Sequence, residues 1–114
     1  MLKQPLRMYP YSRAVRNGRC GTCPKTLTSF IDLCHETGLM MPREERRKLH
    51  LEVIEIIQET ICDPLIAKCW RGWCLDNLDK PLAYVRQNSV TDQEKNQLAK
   101  LEAELRILSA YFVG

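Results

Sequence analysis

Apolar residues recur along most of this chain at the three- and four-residue spacing of amphipathic helices, and no run of β-branched residues with a two-residue period interrupts them. Leu27, Phe30, Ile31 and Cys34 fall at i, i+3, i+4 and i+7, which predicts a first helix over 26–37 with Gly38 as its C-terminal stop. A second helix is predicted from Pro42, a favoured first-turn residue, to Cys62, with Leu49, Val53, Ile56, Ile57 and Ile61 as its buried stripe. Asp63-Pro64 reads as a breaker and a restart, Asp63 serving as N-cap. The third helical segment is placed over 64–78, with Ile66, Cys69, Trp70 and Trp73 on one face. Gly72 weakens its continuity, since glycine in a helix interior costs about 1 kcal/mol. A short segment from Asp79 to Gln87 follows. The last helix opens on a capping box, Thr91 with Glu94, and carries Leu98, Leu101, Leu105 and Leu108, thickened by Ile107, Tyr111 and Phe112. The pattern predicts an all-α fold of four main helices.

Residues 1–25 lack that periodicity. Pro5, Pro10, Gly18, Gly21 and Pro24 punctuate them, so they read as an irregular arm on a helical domain over 26–114, one domain in all. Charge sets the arm apart more sharply. It holds no acid and carries +6, while the other residues sum to −3. A basic arm on a mildly acidic body suits docking on something anionic, either nucleic acid or an acidic protein surface. Arg7, Tyr9, Tyr11, Arg13, Arg16 and Arg19 interleave guanidinium groups, which fork onto phosphates, with aromatic planes on which bases stack. A second basic cluster, Arg43, Arg46 and Arg47, opens the second helix beside Glu44 and Glu45, which neutralise part of its field. Trp70 and Trp73 complete the core or anchor an interface. A helix-turn-helix over 29–49 fails, because the apolar position its second helix needs is Glu44.

Six cysteines supply the candidate chemistry. Cys20-Gly-Thr-Cys23 is a C-x2-C pair in a glycine-bearing turn, a geometry in which two thiolates can reach one zinc ion. Cys69 and Cys74 form the best second pair. On an ideal helix they stand about 140° apart, so they converge only if Gly72 breaks the helix. Zinc on Cys20, Cys23, Cys69 and Cys74 would staple the arm to the third helix. Free buried thiols and disulfides are the alternatives. A thiol-redox role for Cys20 and Cys23 would require a preceding strand, which residues 12–19 do not resemble.

The composition, 45% hydrophobic and 27% charged, excludes a disordered or collagen-like chain. No apolar run approaches the roughly 18 residues that cross a bilayer, so no membrane partner is expected. Pro5 and Pro10 interrupt any amphipathic transit helix and no apolar signal core follows the first basic residues, which leads to a cytoplasmic expectation. Nucleophile-elbow, phosphate-loop, dinucleotide and HExxH signatures are missing, so a non-enzyme is expected. The expected function is a binding protein or modulator that docks on a larger protein or nucleoprotein complex, for example inhibiting a nucleic-acid-processing enzyme. Viral accessory proteins fall in that class, although nothing in the sequence marks a viral origin. Direct nucleic-acid binding through residues 1–25 is the alternative, and thiol-redox chemistry a second.

Overall fold

The isoleucine-rich segment becomes the axis of the molecule. In α3 (Arg43–Cys62) the whole predicted stripe is buried, and so are His50, Ile54 and Thr60, so burial wraps most of the helix rather than one face. A helix buried on several sides needs neighbours on several sides. Its main neighbours are α1 (Pro10–Asn17), α2 (Pro24–Gly38), α4 (Lys68–Asp76) and α5 (Asp79–Gln87). The outermost helix, α6 (Asp92–Val113), runs along α5. The computed structural model describes residues 6–18 and 24–113; among them stand these six α-helices, one 3-10 turn at Leu6–Met8, and no strand. The all-α class stands, with six helices in place of four main ones. The smallest dimension, 18 Å, holds two helix layers.

The arm is the first correction. Its described part is ordered secondary structure, because its prolines sit where helices begin. Pro10 opens α1 and Pro24 opens α2, first-turn positions where a missing N–H costs nothing. The Ser12 hydroxyl lies in hydrogen-bonding contact with the carbonyls of Leu6 and Tyr9, locking the 3-10 turn to α1. Gly18 ends α1 in the left-handed region at φ 44°, its N–H donating to the Ala14 carbonyl at 3.0 Å. The close approach of α4 also demands glycine here, since a Cβ at Gly18 would stand 2.2 Å from Cδ1 of Trp70. Trp70 in turn donates its indole N–H to the Val15 carbonyl at 2.9 Å.

The third predicted helix is the second correction. Asp63 does accept an N–H, from Leu65 at 2.9 Å, but it caps only a turn, and α4 starts at Lys68. Its inward face is Trp70 and Cys74, continued by Leu78, a four-residue spacing; Cys69 and Trp73 look outward. The helix passes through Gly72 unbroken.

The predicted capping box of α6 forms. Glu94 N–H donates to Thr91 Oγ1 at 3.1 Å, and the Glu94 carboxylate accepts the N–H groups of Val90 and Thr91. Those backbone bonds, with the Arg43 guanidinium at 2.8 Å, hold its carboxyl down to about 2. Thr91→Ala is expected to cost about 1 kcal/mol in urea unfolding, the usual worth of an N-cap hydroxyl.

Candidate functional site

The described part of the arm leans on α3 and leaves a cleft beside α2. Leu6, Tyr9, Pro10 and Tyr11 form one wall, Phe30, Leu33, Cys34 and Thr37 the other, and Leu49 of α3 the floor; the volume is about 340 Å³. Tyr11 and Leu33 are exposed at its mouth, while Phe30, Cys34 and Leu49 are buried at its base. Concave, apolar sites with a few hydroxyls at the edge are where proteins take apolar anchors of ligands or partners. Burial, with a smaller push from Glu52, raises the Cys34 thiol to about 12, so at neutral pH this wall is uncharged. The cleft is built to exclude water from an apolar group and carries no acid–base pair.

Tyr9 and Tyr11, picked out in the sequence as stacking residues, are thus brought together as cleft walls. Their partners on α2 were missed as site residues because Phe30 and Cys34 share the helix's core stripe; the signal present was Leu33, an apolar residue standing off that stripe.

The cations of the arm divide. Arg7 pairs with Glu59 and, at 3.3 Å, with Glu55; Arg16 reaches Asp63 at 2.8 Å and Glu59 at 4.0 Å. The Arg16 guanidinium, with the Leu65 N–H, holds the Asp63 carboxyl below the usual range. Glu55, Glu59 and Asp63 recur every four residues, an acidic edge of α3 that receives the arm from within the same chain. Arg13 and Lys25 are exposed and make no ion pair among the described residues. Arg19 lies outside the described residues.

The second basic cluster corrects the expectation of an anion site. Arg43 donates to the Asn88 carbonyl at 2.6 Å and to Glu94. Arg46 donates to the carbonyls of Gly38 and Met41, both at 2.9 Å, closing the α2–α3 turn. Arg47 is buried, donating to Ser89 Oγ at 3.1 Å, the Glu94 carbonyl at 3.2 Å and Gln97 Oε1 at 3.1 Å. All three guanidinium groups tie parts of the same chain together, Arg47 from a buried position and Arg43 and Arg46 from partly exposed ones. Trp70 is likewise a core residue. Trp73, 38% exposed, packs edge-on against it at 5.9 Å.

The proposed four-cysteine site meets an obstacle. Cys20 and Cys23 lie outside the described residues. Cys69 and Cys74 sit on unbroken helix, one exposed and one buried, so the convergence that a break at Gly72 would give is not made. Burial pushes the Cys74 thiol to about 12. No group of three or more metal-ligating side chains gathers among the described residues. Cys62, the last residue of α3, is exposed.

Both histidines face inward. His50 is fully buried, His35 is half-buried, and both pack on the Tyr84 ring, at 4.8 Å and 4.0 Å between centroids.

Comparison with protein-family models, curated proteins and solved structures finds no match for this chain.

Proposed function

We propose that this chain is a non-enzymatic helical binding protein that docks on a larger protein partner through the α1–α2 cleft and modulates it. The observation that carries this is the division of labour in the arm: Arg7 and Arg16 are bound to the chain's own acids, while Tyr9 and Tyr11 wall an open apolar cleft. Tyr11 and Leu33 supply the exposed apolar edge on which an anchoring side chain of the partner closes. Direct nucleic-acid binding is the second reading, supported by the exposed charges of Arg13 and Lys25, which make no ion pair among the described residues.

One comparison separates them. The partner is captured by cross-linking from cells that express the protein, using wild type, Leu33→Glu, and the double variant Arg13→Ala/Lys25→Ala. Both changes are at exposed positions, so the helical circular dichroism should be unchanged. Loss of capture by roughly 10-fold or more in Leu33→Glu, with little change in the double variant, is expected. The opposite ranking, with affinity for a single-stranded oligonucleotide that falls steeply with salt, would give the function to the arm's charges.

A further inference from the structure

The two histidines stand on the same helices as the cleft, facing the other way. Cys34 and Thr37 line the cleft from α2, and His35 lies between them in sequence but packs on Tyr84 of α5. Leu49 is the cleft floor, and its neighbour His50 packs on the same ring. The joint behind the cleft is therefore a trio of rings from three helices, the imidazoles 6.0 Å apart.

That joint is short of hydrogen bonds. Both ring nitrogens of His50 and Nδ1 of His35 are buried and find no partner among the described residues. A neutral imidazole tolerates this at a cost, but an imidazolium there has two donors and no acceptor among the described residues. The groups facing it offer no help. From α2 there is His35, from α3 Arg46, from α5 Tyr84; the Lys80–Asp32 pair lies beyond Tyr84, already closed on itself at 2.6 Å. A proton on His50 thus adds a cation beside Arg46 and a second imidazole, with no carboxylate to balance it.

We infer that the His35–His50–Tyr84 joint is an acid-sensitive latch: protonation of His50 releases the last two turns of α2 from α3 and dismantles the cleft wall. Its role as a regulator rests on the cleft being the docking site; the opening itself does not.

The sign follows from linkage. Burial, then His35 and Arg46, lowers His50 from 6.5 to about 4 in the closed state. Opening returns it to its ordinary value, so the open form binds more protons between those limits. The latch is fully closed above 6.5, weakens as pH falls below it, and stops weakening near 4. At pH 5 the opening equilibrium is favoured by about 30-fold over its value at pH 7.5.

The test is made on the free full-length protein, so it fails or succeeds independently of partner capture. Amide hydrogen exchange, corrected for intrinsic rates, is measured from pH 7.5 to 5, alongside an NMR titration of the His50 ring. The expected result is a ring that stays neutral to below pH 5 and a loss of roughly 30-fold in protection over residues 30–37. Protection at the centre of α3 should hold, and His50→Leu should remove the pH dependence. A ring titrating near 6.5, flat protection over α2, or an equal loss across α2 and α3 would overturn the latch. Should His50→Leu not fold, the wild-type titration and exchange still decide.

Discussion

Trp70→Ala should lower the stability of the protein by about 3–5 kcal/mol, a large share of what a domain of this size possesses. Trp70 is the joint between the N-terminal helix and α4: its ring receives Gly18, and its N–H satisfies the Val15 carbonyl. Removing it leaves a large cavity and takes the indole donor from the Val15 carbonyl. Trp70→Phe should cost less, since it keeps much of the ring and gives up the hydrogen bond. Gly18→Ala attacks the same contact from the other side. It must hold a left-handed backbone and place a Cβ inside the indole, so a loss of several kcal/mol is expected rather than the ~1 kcal/mol of an ordinary left-handed alanine. The two losses should not add, because they remove one contact. Urea unfolding of the single and double variants measures this. The ion pairs of Arg7 are exposed and worth 0–1 kcal/mol at most, so 1 M salt should leave the helix seated while either substitution unseats it. Release by salt alone would show that the arginines, and not Trp70, hold it.

Arg47→Ala should cost about 2–3 kcal/mol and loosen α6 in particular. The guanidinium, 6% exposed, spans three acceptors from the α5–α6 loop and the first turns of α6. The other ties of α6 are the Arg43–Glu94 pair, buried Leu98 and Leu105, and the partly buried Leu101, Leu108 and Phe112, while Ile107 and Tyr111 are 71% and 86% exposed. The Arg86–Glu102 pair at 2.9 Å is largely solvent-facing and adds little. Arg47→Lys should recover only part of the loss, because a compact ammonium cannot fork to three separated acceptors. Hydrogen exchange is the discriminating measurement: α6 amides should lose protection while those of α3 keep it. A uniform loss would mean that Arg47 supports the whole core.

How far the sequence carried differs between core and site. The stripes of α2 and α3, the stop at Gly38 and the Thr91–Glu94 box all stood where periodicity and capping chemistry placed them. The prolines of the arm misled because the same residue that breaks a helix interior also opens a helix, and local sequence does not say which. The stripe assigned to the third helix was right at Trp70 and wrong at Cys69 and Trp73. Trp70 and Cys74 face inward since α1 and α3 lie on that side, while the equally apolar Trp73 covers only part of the surface.

The cleft was half legible. Tyr9 and Tyr11 stood out for their company of arginines, but their significance changed once Arg7 and Arg16 met Glu59 and Asp63, about fifty residues away in the chain. Nothing in the local sequence of His50 shows that it packs on Tyr84, because that ring comes from a different helix far along the chain.

By itself the sequence determined the helical class, most helix spans and the apolar face of the central helix, because those depend on backbone propensity and on residues three and four apart. Only the tertiary structure decided which polar groups meet. Arg43, Arg46 and Arg47 look like a surface for anions in the sequence and become internal ties in the fold, their acceptors reaching up to 51 residues distant. A charge or imidazole is defined by what lies within about 3 Å of it, and that neighbourhood is supplied by packing rather than by order along the chain.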